Sequence, residues 1–353
     1  MRHEQLTFLR RLVAEIGPSG FEGDVGRVWR EEAERFADEV THDAVGNSYA
    51  WLRGPEGSPV VAIEGHIDEI GFQITHIDAE GFIWIGEIGG WDASVVVGQR
   101  ITFRGRAGVV VGVVGRKASH LMSSSDREKA PELKSLWVDI GASSRADARR
   151  RVEVGDYGVV ETPWLQLTGD LVASRAIDNR AGAWVALSAL ERLAADRPAV
   201  TVVALAATRE EISFAGAVTG AHSVDPIAAI VVDVTHATDY PEADKRRNGE
   251  VSLGGGPVIS RGSSISPVVA RGLMEAADRI GQPYAVDAAP SATWTDADGM
   301  VKGGQGTACG VVSIPLRYMH SPNETASLAD IDACAELIAA YIMGLPVDLD
   351  LRP

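Results

Sequence analysis

Cysteine is nearly absent from this chain. The 353 residues hold two, Cys309 and Cys334, with no CxxC spacing and no Cys/His ribbon. That excludes a zinc site built from cysteine, and a chain this long needs no disulfide staples, since it buries about three quarters of its unfolded surface. Long apolar runs are missing as well. The longest, residues 199–207, is itself broken by Thr201 and is about half of the ~20 residues a membrane span requires. The opening residues, MRHEQLTFLRRLVAEIG, alternate charged and apolar side chains at a helical period and carry no signal-peptide core, so a cytoplasmic location is expected. Positive charge is also in short supply: 33 Lys and Arg stand against 49 Asp and Glu, a net charge of −16, which argues against nucleic acid and anionic membranes as partners. What remains, 45% hydrophobic and 23% charged residues, reads as a globular protein whose length suggests two domains.

Periodicity divides the chain. Leu6, Leu9, Leu12, Val13 and Ile16 repeat at helical spacing up to Gly17-Pro18. A second helix is predicted over 23–40, on the face of Val25, Val28, Trp29 and Phe36, and strands over 47–52 and 59–64. From about residue 72 to 167 the composition shifts to short alternating runs rich in Val, Ile, Gly and Trp, as in a small all-β module, with one helical stretch over 143–151. Helix and strand then alternate: helices over 179–195, 213–222, 266–280 and 328–343, strands over 199–208, 227–234 and 311–315. The expected class is therefore α/β, a mostly parallel sheet flanked by helices over 1–71 and 168–353, interrupted by a small β-barrel-like domain over 72–167.

The acids and histidines sit where such a sheet binds ligands. His66 and Asp68 follow PVVAIE, Asp178 precedes a long helix, Glu210 and Glu211 end TVVALAATREE, Asp233 ends IAAIVVDV, and His320 follows VVSIPLRYM. Each has an ordinary reading alone: Asp178 as a helix cap, Glu210 and Glu211 as solvated charges in a first turn. Five coincident placements are another matter, because so much negative charge at one edge repels itself unless a cation compensates. Two imidazoles and three carboxylates suit zinc, cobalt or manganese, and match two ions sharing a bridging carboxylate. One Glu is then left over as a general base, and Asp68 can accept the His66 ring N–H.

GHIDEIGF, AIDNRAG, TREEISFAGA, VVDVTHATD and IPLRYMHSP, in this order, resemble the metal-site segments of the tetrahedral (TET) and glutamyl aminopeptidases, metallopeptidase family forty-two. GVVGRKASHLMSSSDREK and LWVDIGASSRADA in the insert are similar too. The resemblance implies a dinuclear zinc exopeptidase-like fold with His66 and Asp233 on one metal, Glu211 and His320 on the other, and Asp178 bridging. It implies Glu210 as the general base acting on the bridging water, Asp68 orienting His66, and a cis peptide at Asp178–Asn179. The implied activity is removal of N-terminal residues from short peptides with two divalent ions per subunit, zinc or cobalt before manganese, in a homo-oligomer, dimer or dodecamer, held by the inserted domain. A dinuclear amidohydrolase or deacylase, or a non-catalytic assembly protein, is the alternative.

Other residues carry weaker signals. His120 and His236 read as a loop residue and a neighbour of the ligands, and His76 and His222 as structural or exposed. GGGPVIS lacks the Lys-Ser/Thr of a phosphate loop and reads as a pocket-lining turn. Trp294 and Asp296 read as surface-loop residues, or else as determinants of side-chain preference, with Asp296 favouring a basic residue. Cys309 and Cys334 read as small apolar residues, and Trp84, Trp91 and Trp137 as core or interface anchors.

Overall fold

The computed structural model describes residues 1–106 and 108–352. The main sheet runs in the spatial order Glu39–His42, Ser48–Leu52, Thr201–Ala207, Val60–His66, Ala228–His236, Ala308–Leu316, Val258–Gly262, Ala285–Ala289. The four strands at its centre, Thr201–Ala207 through Ala308–Leu316, are mutually parallel, and antiparallel pairs flank them. Parallel strands covered on both faces must be apolar on both, and these are. Val61, Ile63, Val202 and Ala204 face a core shared with helices His3–Ala14, Gly23–Ala33, Ile177–Ala195 and Leu328–Met343. Ala62, Val203 and Leu205 face helices Ala215–Val224 and Ala297–Met300.

Six strands, Gly71–Ile77, Ile83–Ile88, Trp137–Asp139, Gly108–Gly115, Arg100–Gly105 and Tyr157–Val160, close in that order into a barrel filled by Phe72, Ile74, Ile83, Phe103 and Val138. The barrel leaves the sheet just after His66. It docks back through Phe21 stacked on Tyr157 (4.0 Å) and Arg104 on Asp24 (3.2 Å).

Two devices hold the sheet edge that carries the acids. Fully buried Arg180 donates to the carbonyls of Leu12 (2.8 Å), Ile67 (3.1 Å) and Gly17 (3.3 Å) and to Glu69 Oε1 (2.7 Å); Arg175 also pairs with Glu69. The end of the first helix and the turn after His66 are thereby locked to the helix that begins at Ile177. Gly65 supplies the second device. A Cβ there would meet the Gly182 carbonyl carbon at 2.5 Å and the Ala183 nitrogen at 2.6 Å, so only glycine lets that helix lie directly on the strand.

The structure departs from the expected elements in several places, among them a helix over 143–151 that shrinks to Arg145–Ala148 and an unforeseen edge strand Ala285–Ala289. The second helix stops at Ala33, and the apolar period running on to Val40 belongs to the strand Glu39–His42. Region 213–222 is two helices, Glu210–Ser213 and Ala215–Val224, broken at Phe214, whose φ is +56°. GGGPVIS is only in part a turn: Gly254 and Gly256 donate N–H groups to Asp330, and Val258 opens a strand. Cys309 and Cys334 are buried free thiols, as expected.

Gly65→Ala pushes one backbone against another rather than against a flexible side chain. It is expected to cost about 1–3 kcal/mol in urea unfolding and to weaken metal binding by separating Asp178 from His66. Wild-type values for both would refute the close-approach account.

Candidate active site

The central parallel strands deliver their ligands at one end. His66 is the last residue of Val60–His66, and Asp233 lies near the end of Ala228–His236. Glu210 and Glu211 begin the short helix just after Thr201–Ala207, and His320 follows Ala308–Leu316. Asp178 enters from the start of its helix, and its peptide bond to Asn179 is cis, as the resemblance implied. Of the eight non-glycine residues with positive φ among those described, Ala176, Arg209, Phe214, Trp294, Tyr318 and His320 all lie on the loops that carry this site. Left-handed backbone costs energy for such residues and persists where the surrounding structure enforces it.

The side chains converge. His66, Asp178 and Asp233 offer ligand atoms all within 4.8 Å of one another; so do Asp178, Glu211 and His320, and so do His66, Glu210 and Glu211. Asp178 belongs to the first two groups and faces both ways. Its Oδ1 stands 3.4 Å from His66 Nε2 and its Oδ2 3.5 Å from His320 Nε2, while Glu211 lies 3.3 Å from His320 Nε2. Two donors bound to one zinc ion at ~2.0–2.1 Å stand roughly 3.3 Å apart in a tetrahedral site, whereas hydrogen bonds run shorter, at about 2.7–3.2 Å. The spacing is that of ligands around a shared ion.

Electrostatics agree. Burial and the surrounding carboxylates raise the pKa values of Glu210, Glu211 and Asp233. Burial opposes charge on His320, yet Asp178 and Glu211 push its pKa up to about 11, and His66 is likewise held well above its ordinary value against burial by Glu210, Asp178 and Asp68. Without metal, protons on both imidazoles serve as the cations of an otherwise negative cluster. Divalent ions are suited to replace them. The cluster is a dinuclear metal-binding site.

Asp68 does more than face His66. It lies 3.3 Å from Nδ1, accepts from Ser19 Oγ (2.6 Å), and takes the backbone N–H groups of Glu210 (3.1 Å) and Glu211 (3.2 Å). Burial works to raise its pKa, but these hydrogen bonds hold it below the ordinary range. Sequence reasoning missed Glu324. Its Oε2 accepts the Asp178 N–H (3.0 Å) and its Oε1 the His320 N–H (3.2 Å), so one buried carboxyl fixes two ligand-bearing loops. Its only sequence signal is its place four residues after His320.

A cavity of about 450 Å³ covers the cluster, walled also by Phe214, Val234, His236, Trp294 and Met319. Trp294 is 77% exposed. Asp296 is neither on the surface nor in the pocket. It is turned inward, fully buried beside Glu64, and its backbone carbonyl starts the helix Ala297–Met300. His120, His76 and His222 lie on the exposed surface.

Comparisons with known proteins fit this geometry. The profile of the M42 glutamyl aminopeptidase family matches residues 46–337. A TET aminopeptidase from a marine-sediment thaumarchaeon superposes with a TM-score of 0.92 at 30% identity, covering 97% of this chain and 96% of the other. An aminopeptidase of the archaeon Desulfurococcus kamchatkensis gives 0.91 at 32% identity, covering 98% and 96%. The TET1 peptidase of Pyrococcus horikoshii, which can assemble into a tetrahedron or a large octahedral shell, gives 0.85 at 27% identity, covering 97% and 100%.

Two outcomes are expected. In the metal-free protein, Glu22 is raised to about 7, first by burial and then by Asp68; Asp233, Glu210 and both imidazoles are raised too. The folded state therefore holds more protons than the unfolded one above about pH 4.5, and metal-free stability falls as pH rises. Bound ions remove that penalty, so the melting-temperature gain from zinc should be larger near about pH 8 than near about pH 5; an equal or smaller gain would contradict the cluster. Glu324→Gln, which keeps only one acceptor oxygen, should lower zinc affinity by about 10–100-fold in competition with a chelator dye.

Proposed function

Because the chain belongs to the M42 glutamyl aminopeptidase family, we propose that it is a metal-dependent aminopeptidase and assign each residue of its site a role. The observation that carries the reading is Asp178, whose two oxygens face two separate histidines from the centre of a buried acidic cluster. His66 and Asp233 would hold one ion and Glu211 and His320 the other, with Asp178 able to serve both. When bound, the pair supplies Lewis acidity to a shared water and to the scissile carbonyl. Asp68 fixes the His66 ring and, through the Glu210 N–H, aims the Glu210 carboxylate. Glu210 removes a proton from the attacking water and delivers it to the departing amine.

Peptide length is restricted by assembly on this reading. Residues 72–167 act as the oligomerisation domain. The barrel strand Gly108–Gly115 supports this, presenting Val109, Val111 and Val113 outward, each about half exposed. No helix among the described residues is long and apolar enough to cross a membrane. A non-catalytic assembly protein would leave the buried carboxylate cluster unaccounted for, and a deacylase would share its chemistry but not its demand for a free N-terminal amine.

Glu210→Gln should retain both metals and the fold while turnover of aminoacyl-p-nitroanilides drops by about 10²–10⁴-fold. Chelation should abolish the wild-type activity, and zinc or cobalt restore it. Full activity in the variant removes Glu210 from its role. Cleavage of N-acylated but not free-amine substrates would favour the deacylase.

A further inference from the structure

A second cavity, of about 200 Å³, adjoins the first and shares Val234, Thr235, Thr293, Trp294 and Thr295 with it. Its own walls are different in kind: three serines (Ser260, Ser291 and Ser313), three alanines, Pro290, Val311 and Asp287. The sheet register explains why these meet. Asp233 pairs with Ser313, Ser313 with Val258, and Ser260, two residues on, with Asp287. Paired residues, and residues two apart along a strand, point to one face, so Asp233, Ser313, Ser260 and Asp287 form a row across four adjacent strands. Three strand spacings and the two-residue step from Val258 to Ser260 put the ends of this diagonal row ~16 Å apart. An extended lysine or arginine covers about half of that span, with its α-amine beside the metal ligands at one end and its charged tip directed at Asp287, whose own side chain helps to close the rest.

Charge decides what the row accepts. Every carboxylate in the first cavity belongs to the metal cluster. Asp287 is half-buried and, among the described residues, has neither an ion pair nor a side-chain hydrogen bond. No lysine or arginine lines either cavity. The loop between the cavities is held in shape, since Asp298 accepts the N–H groups of Thr293 (3.2 Å) and Trp294 (3.0 Å). Resting on the aminopeptidase reading, we propose that this second cavity receives the side chain of the substrate's N-terminal residue and that Asp287 selects lysine and arginine there. The serine and threonine hydroxyls suit a polar shaft and tip better than a leucine or phenylalanine, and an N-terminal glutamate meets only repulsion.

Lysyl-, arginyl-, leucyl- and glutamyl-p-nitroanilides, assayed with zinc- or cobalt-loaded wild type and Asp287→Asn, test this. Wild type should favour the two basic substrates, with glutamate poorest. In Asp287→Asn the ratio of kcat/KM for lysine over leucine should fall about tenfold, mainly through KM, and Asp287→Glu should recover part of it. Calorimetric titration with lysinamide and leucinamide should give the same order of affinity and the same loss. A wild-type preference for leucine, or a lysine-to-leucine ratio that Asp287→Asn leaves where it was, overturns the assignment while the aminopeptidase reading stands. Cleavage of none of the four overturns both.

Discussion

Four carboxylates and two imidazoles share a few ångströms of buried space at the end of four parallel strands, and that crowding is the constraint to which the rest answers. Removing one charge from water costs several kcal/mol, and like charges at this separation add to the cost. An apolar protein interior cannot meet such a debt by packing alone. Protons on His66 and His320 meet part of it. Two divalent ions meet it fully, because they carry more charge and accept oxygen and nitrogen donors at short range. The chemistry is a consequence of the same compensation. A site that needs cations to exist places Lewis acids, once they are bound, beside the carboxylate of Glu210.

A cluster under such repulsion spreads apart unless its carriers are fixed, and the chain fixes them through backbone groups. Asp68 takes the N–H groups of Glu210 and Glu211, and Glu324 takes those of Asp178 and His320. Asn179 donates to the Val232 carbonyl (2.7 Å), next to Asp233. Below them the Arg180–Glu69–Arg175 group ties three segments that are remote in sequence. Each member of that buried group has a partner, which is the condition under which a polar core adds definition rather than cost.

The ligands were legible in the sequence because each follows an apolar run that could only be a buried strand or opens a helix beside one, so position along the chain stood in for position in space. His66, Asp233 and His320 are such cases. Glu324 was not legible, because it acts through N–H groups that no side-chain pattern records. Phe36 and Val40 misled in the other direction: their spacing continues the helix period past Ala33, yet the chain turns and Val40 joins an edge strand. The strands Val258–Gly262 and Ala285–Ala289 mix small, polar and charged residues at the sheet margin, where burial on both faces no longer writes an apolar run. Asp296 was placed in the right loop with the wrong orientation. Sequence gives the loop, but the turn into Ala297–Met300 decides which way its side chain points.

The two halves of the cluster also differ in what holds them. His66 and Asp233 project from interior strands, are nearly inaccessible, and inherit the rigidity of the sheet. Glu211 and His320 stand on short connections after strands, and the His320 side chain keeps 36% of its exposure. Ligands on a sheet hold one geometry, whereas ligands on loops tolerate a change of coordination as substrate enters. Asp178 couples the two, with one oxygen toward each. Glu210 precedes Glu211 on the same short helix and reaches back to 3.7 Å from His66 Nε2. The carboxylate proposed as the proton carrier therefore lies where the half carried by the sheet meets the half carried by loops.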